Sequence, residues 1–254
     1  MIPKQIHMTW KNKNLPNFFQ NNIDSWKKLN PEYNIIFYDD EKINNFFNKY
    51  CQEYLNIINS YDKMINKVDI FKMLVLYYFG GVYVDCDVKC LKPIDELLQN
   101  KTFVMGYGPS ECNVGIYKNY KLIECAVIAS IPNHSIWSTV VLSNLKPLNL
   151  QKNKHIPFTT GPVFMTECVE KYIQNFGFNL DDIKEKEYKK SVHIMDSIVF
   201  YPINNRIKNR IKKDKIDKTI EMIKNNDFPK ESYAVHYFCG SWWKKVDSIG
   251  IFKN

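Results

Sequence analysis

Asp85 and Asp87 flank a single residue at the end of an apolar run, and Asp69 and Lys72 stand three residues apart just upstream. Two carboxylates so close at the end of a buried strand repel each other unless a cation lies between them. Hard divalent ions such as Mn²⁺ or Mg²⁺ take oxygen ligands, often one or two carboxylates plus the phosphates of a substrate. Asp69 and Lys72, at helical spacing, present a carboxylate and an ammonium on neighbouring positions of one face. Asp-x-Asp by itself is common by chance. Its weight here comes from its frame: a helix, then Gly80-Gly81, then the strand residues Val82-Tyr83-Val84.

The elements that position these groups follow from periodicity. Met64, Val68, Phe71, Val75 and Tyr78 recur at three- and four-residue steps, which predicts a helix with one buried face. Glycine ends it, because it adopts the left-handed cap without steric cost. In the following strand, alternation sends Val82 and Val84 to one side and Tyr83, Asp85 and Asp87 to the other. Upstream, a first strand runs to Thr9 and Trp10, a helix covers Pro16 to Leu29, and a second strand covers Tyr33 to Tyr38, with Asp39-Asp40 able to cap the next helix. Downstream, Thr102–Tyr107 reads as a strand, and Pro132-Asn133-His134-Ser135 starts a helix reaching about Leu145. This alternation predicts an α/β fold with a Rossmann-like, mostly parallel sheet flanked by helices, in a single domain over 1–254. Ligands of such sheets sit beyond the carboxyl ends of the strands, where Trp10, Asp85 and Asp87 fall. No Gly-x-Gly-x-x-Gly follows the first strand, which disfavours a dinucleotide enzyme.

Composition adds limits. The chain has 254 residues, a net charge of +8 and seven cysteines without Cys-x-x-Cys spacing, which favours free thiols and a cytoplasmic setting over a disulfide scaffold. No apolar run is long enough for a membrane span, the first residues lack a signal-peptide pattern, and little tail is expected before the first strand. The segment 203–230 reads as a basic helical excursion. Within 205–225, Ile207, Ile211, Ile216, Ile220 and Ile223 form an apolar stripe among lysines and arginines. Such a helix either packs on the domain or makes peripheral contact with an anionic membrane. A metal-dependent phosphohydrolase or nuclease would need more acids for a second metal, so nucleic acid is not an expected partner.

The run Asp69-x-x-Lys72-x-x-x-Leu76-x-x-x-Gly80-Gly81-x-Tyr83-x-Asp85-x-Asp87 resembles the Asp-x-Asp region of the retaining glycosyltransferases that include the yeast initiating mannosyltransferase type, capsule transferases and clostridial glucosylating toxins. Lys72 stands where that family usually has Arg, which keeps the charge and loses the bidentate fork. Four further stretches resemble the family: Ile2-Pro3-Lys4-Gln5-Ile6-His7-Met8-Thr9-Trp10, the region of Glu124 before Pro132-x-His134, Thr160-Gly161-Pro162, and His236-x-x-x-Gly240-Ser241-Trp242. Val199–Pro202 resembles a family strand end.

The resemblance implies a GT-A-type fold and metal-dependent, retaining transfer of a hexose or N-acetylhexosamine. The donor would be a nucleotide-diphosphate sugar, UDP-sugar favoured over GDP-mannose, and the acceptor a glycan, glycolipid or protein. It implies that Thr9 and Trp10 meet the base, Asp69, Lys72, Tyr83 and Asp85 the ribose or sugar, and Glu124 the sugar or acceptor. Gly161 would offer a helix N-terminus, Ser241, Trp242 and Trp243 would lie near the pyrophosphate, and Asp87, His236 and Asp85 would hold Mn²⁺ or Mg²⁺. His7 is expected to be a packed core histidine. A silent nucleotide-sugar-binding relative is the alternative; its mark would be loss of the metal carboxylates, and both are present.

Overall fold

A computed structural model describes residues 1–109, 120–175, 192–203 and 221–240. The expected membrane-facing stripe lies largely outside these residues, as do Ser241, Trp242 and Trp243. In chain order the strands are β1 (Gln5–Thr9), β2 (Asn34–Tyr38), β3 (Gly81–Val84), β4 (Val88–Cys90), β5 (Phe103–Tyr107), β6 (Ile123–Ser130), β7 (His193–Met195) and β8 (Ala234–His236). The helices are α1 (Asn17–Leu29), α2 (Asp40–Tyr50), α3 (Leu55–Asn59), α4 (Met64–Phe79), α5 (Asp95–Leu98), α6 (Leu142–Asn144), α7 (Ile156–Thr159), α8 (Pro162–Gln174) and α9 (Ser197–Phe200). A π-helical turn, Trp137–Val141, leads into α6. The helix starting after Pro132 therefore runs to about Leu145 as expected, with a widened middle. As expected too, Pro16 precedes α1, and the Asp39 carboxylate accepts the Lys42 N–H at 2.9 Å to cap α2.

Six strands form the central sheet in the order β2-β1-β3-β6-β5-β7. β1 pairs parallel with β2 and β3, and β5 parallel with β7, while β6 runs antiparallel to both β3 and β5. The sheet is thus mostly parallel, with β6 alone reversed. β4 and β8 make a separate antiparallel pair. This is the α/β arrangement with flanking helices that the GT-A resemblance implies.

Alternation divides the sheet between two cores. Tyr83, Phe103, Met105, Ile123 and Ile128 face a cluster with α2, α4 and α8. Ile6, Met8, Val82, Val84, Val104 and Ala129 face the opposite cluster, against Trp26 of α1 and Phe200 of α9. A helix between a sheet and other helices needs more than one apolar stripe. α4 accordingly buries Ile70, Met73, Leu74 and Leu76 as well as Phe71 and Val75, so the single predicted face was too narrow. Gly80 ends α4 with φ of 64° and ψ of −160°, and a Cβ there would lie 2.6 Å from Pro132 Cδ. Any other residue would meet both backbone strain and a clash.

The strand expected to end at Val199–Pro202 is instead the short helix α9. Between β5 and β6 the register slips, from Val104 opposite Ala129 to Gly106 opposite Glu124. The surplus residues of β6 leave the Val127 N–H without a ladder partner on β5, and the Tyr201 hydroxyl, just after α9, accepts it at 3.2 Å. The segment after β7 therefore fills a bulge rather than extending a strand.

Candidate active site

β1 and β3 are parallel neighbours, with Ile6 opposite Val82 and His7 opposite Tyr83. Their carboxyl ends release Thr9-Trp10 and Asp85-Cys86-Asp87 on the same rim. Because β6 is reversed it begins at that rim, and it delivers Glu124 and Cys125 there; the Asp85 N–H donates to the Ala126 carbonyl at 2.9 Å.

Alternation along β3 ends at Val84. Asp85 to Asp87 form a turn closed by the Val88 N–H on the Asp85 carbonyl at 3.0 Å. It is this turn, rather than strand alternation as the sequence suggested, that brings the two carboxylates together. The Asp85 Oδ1 accepts the Tyr83 hydroxyl at 3.0 Å and lies 3.1 Å from Lys72 Nζ. With its proton on Asp85, the Tyr83 oxygen accepts from Thr9 Oγ1 at 2.7 Å. Lys72 Nζ is also 3.2 Å from Asp69 Oδ1 and 4.9 Å from the Tyr83 ring centroid.

Asp69 is 6% exposed and Lys72 5%, so α4 holds an ion pair in the protein interior. Burial pushes the Asp69 carboxyl up to about 6, against the opposing pull of Lys72. Burial also opposes charge on Lys72, but Asp85, Tyr83 and Asp69 outweigh it and the ammonium stays well above its ordinary value. One cation thus serves two carboxylates.

Asp87 is enclosed by the chain's later residues. β8 pairs with β4 so that His236 lies opposite Val88. The Tyr237 N–H donates to the Asp87 carbonyl at 2.9 Å, the Cys239 N–H to Asp87 Oδ2 at 2.9 Å, and His236 Nε2 lies 3.1 Å from Asp87 Oδ1. Burial would raise the Asp87 carboxyl, but His236 and these hydrogen bonds hold it below the usual carboxylate range. Phe238 takes a positive φ of 50° as the chain turns over Asp87, and its ring lies 4.1 Å from that of His236.

One ligand atom each from Asp85, Asp87 and His236 lies within 4.8 Å of the others. Neighbouring ligands on a six-coordinate divalent ion at metal–oxygen distances near 2.1 Å are about 3 Å apart, the spacing found between Asp87 and His236. Two carboxylates and an imidazole also suit a hard to borderline ion. The residues therefore fit a metal.

The other expected site residues are placed as follows. The Trp10 indole is half-buried against Phe19, with ring centroids 4.3 Å apart, and its Nε1 is a buried donor without a hydrogen-bond partner among the described residues. Gly161 caps the N-terminus of α8, where a Cβ would sit 3.0 Å from Pro157 Cα. Glu124 reaches the rim but is 1% exposed, and a Cβ on Gly108 would lie 2.6 Å from its Oε1. His7 is the buried core residue expected: Nε2 meets the Gly80 carbonyl at 2.9 Å, and burial lowers its imidazole to about 4. Thr160, noted in the sequence only as part of Thr160-Gly161-Pro162, donates to Asp69 Oδ2, and Asn66, which donates to Thr160, was not singled out from the sequence. Asn66-x-x-Asp69-x-x-Lys72, a three-residue polar spacing on a mostly apolar helix, was the available signal.

Residues 16–104 match the model of a glycosyltransferase sugar-binding region containing a DXD motif. The chain is 30% identical over 177 residues to inositol phosphoceramide mannosyltransferase 1 of Schizosaccharomyces pombe, covering 68% of this chain and 52% of that protein. It is 25% identical over 209 residues to an uncharacterized glycosyltransferase of Acanthamoeba polyphaga mimivirus, covering 80% of this chain and 74% of that one. Among solved structures, the PaToxG glycosyltransferase aligns with a TM-score of 0.47 at 21% identity, over 68% of this chain and 71% of that chain. The chain spans about half the length of the fission-yeast relatives. Asp85 and Asp87 are the two acids of that motif, and residues 16–104 of the chain belong to the family of glycosyltransferase sugar-binding regions that carry it.

Proposed function

We propose that this protein is a metal-dependent glycosyltransferase that moves a sugar from a nucleotide-diphosphate donor to an acceptor hydroxyl. The single observation that carries the reading is the cluster of Asp85, Asp87 and His236, with Lys72 joined to Asp85 at 3.1 Å. Asp87, His236 and Asp85 would hold Mn²⁺ or Mg²⁺, which when bound neutralises charge on the departing diphosphate. Trp10 offers the base an indole face, and Lys72 adds a positive charge beside the leaving group. Tyr83 and Thr9 fix the Asp85 carboxylate.

Retention at the anomeric carbon follows a front-face route in this reading. The bond from the sugar to the phosphate oxygen breaks, the acceptor oxygen bonds to the same face, and the acceptor's proton passes to the leaving phosphate. No side chain serves as a covalent nucleophile, and a trapped sugar adduct on Asp69 or Glu124 would overturn that part. The names of the yeast relatives make mannose the first sugar to test, from GDP-mannose ahead of the UDP-sugars, and an inositol-phosphate-bearing sphingolipid the first acceptor.

The test is release of nucleoside diphosphate from GDP-mannose and a panel of UDP-sugars with Mn²⁺, comparing the native protein with Asp87→Asn. We expect one donor to be hydrolysed in a metal-dependent way, with the activity lost in the variant. Silence across the panel, with no Mn²⁺-dependent nucleotide binding, would sink the assignment.

A further inference from the structure

Behind the Asp69–Lys72 pair lies a buried polar network that the proposed chemistry does not use. Asn66, Asp69 and Lys72 follow one another at three-residue intervals along α4, so they form a single polar stripe on a helix otherwise enclosed by apolar side chains. The stripe meets the turn between α7 and α8. Asn66 Nδ2 donates to Thr159 Oγ1 and to Thr160 Oγ1, each at 2.9 Å. Asn66 is 4% exposed, and both threonines are fully buried.

Each threonine hydroxyl has one proton, and Asn66 decides where it goes. With an amide N–H aimed at each oxygen, both hydroxyls act as acceptors toward Asn66 and must donate elsewhere. Thr159 donates to the Ile156 carbonyl at 3.2 Å. Thr160 donates to Asp69 Oδ2 at 3.1 Å. Asp69 is thereby gripped at both oxygens, Oδ2 by Thr160 and Oδ1 by Lys72 at 3.2 Å. The carboxylate cannot rotate without breaking a hydrogen bond in a site closed to water, where an unmet polar group is costly.

We propose that Thr160, oriented by Asn66, is a positioning residue: it locks the rotamer of Asp69 and so aims the Lys72 ammonium at Asp85 and the donor's leaving group. The inference rests on the donor-binding reading above. Thr159 supplies an internal control. It is equally buried and shares the same Asn66 donor, but its proton goes to a backbone carbonyl.

The test compares Thr160→Val, Thr160→Ser and Thr159→Val in donor turnover, with thermal unfolding measured alongside. Valine keeps the volume of threonine and removes only the hydroxyl. For Thr160→Val we expect kcat/KM to fall roughly ten- to a hundredfold, the scale of losing a hydrogen bond to a charged group. Thr160→Ser should restore turnover to within a few-fold. Thr159→Val should lower the melting temperature comparably while leaving kcat and KM near native. Equal kinetic losses in the two valine variants would mean a merely structural role and would overturn the proposal.

A crystal structure of Thr160→Val, or of Thr160→Ala should the valine variant not fold, decides the matter without any donor. Asp69 turned away and Lys72 withdrawn from Asp85 support it; both contacts kept overturn it. If the native protein turns over no donor, the assigned function fails, and that structure still decides the positioning role.

Discussion

Lys72 carries the heaviest electrostatic demand of any single side chain in the site. Its ammonium lies against Asp69 and Asp85, and only 6% of the side chain's surface is open. An ammonium meets both carboxylates as a point charge, whereas a guanidinium in its place would add a planar fork that needs its own space. Removing a partner from a buried ion pair leaves an uncompensated charge, at a cost of roughly 3–5 kcal/mol. Lys72→Met is therefore expected to lose stability on that scale in urea unfolding. Adding Asp69→Asn to it should recover part of the loss, because one of the stranded carboxylates becomes neutral. Strictly additive losses would show that the two groups are not coupled.

At the scale of elements, β1 is tied to the turn between α4 and β3 by His7, whose ring spans the Gly80 carbonyl and the Tyr38 hydroxyl at 2.9 and 3.1 Å. Burial lowers its imidazole from the ordinary 6.5 to about 4. Between those values the unfolded chain binds a proton that the folded chain refuses, so the contribution is complete above pH 6.5 and fades as pH falls toward 4. The loss amounts to about 3 kcal/mol over that window. Urea midpoints measured from pH 7 to pH 4 should show it, and His7→Gln should flatten the slope; an unchanged slope would assign the acid sensitivity to other groups.

Much of this scale was legible in the sequence. Helix α4, the Gly80-Gly81 stop and the alternating core of β3 rest on local spacing, and so does the Asp69–Lys72 pair. What escaped depends on residues far apart in the chain. The slip between Val104 and Gly106 has no local signature, and Tyr201 is needed only because that slip exists. Asn66 and Thr160 are separated by 94 positions, so Asn66 does not look unusual, and the link between Thr160 and Asp69 does not show, until the fold joins them. The turn at Asp85–Asp87 was misread because a strand of alternating residues and a strand ending in a tight turn have the same sequence pattern up to Val84.

For the whole molecule, the Asp85–Asp87–His236 cluster joins two separate sheets: Asp85 follows β3 of the central sheet, and His236 ends β8 of the small one. An ion bound by both favours the docked arrangement over any state in which β8 has left β4. Saturating Mn²⁺ should raise the melting temperature and slow amide hydrogen exchange in β8, with both effects lost in Asp87→Asn. Exchange in β8 that ignores Mn²⁺ would separate His236 from the metal.

The reversed strand has a consequence for synthesis. β3 needs β6 on one edge, and β5 needs β6 as well, yet β6 is the later of these in the chain. As the polypeptide leaves the ribosome, β1, β2 and β3 can associate early while one edge of β3 stays bare, and a bare edge invites pairing with other chains. His236 emerges later still. The growing chain therefore carries Asp85 and Asp87 without the histidine beside them until β8 has been made, and the three side chains can come together only from that point on.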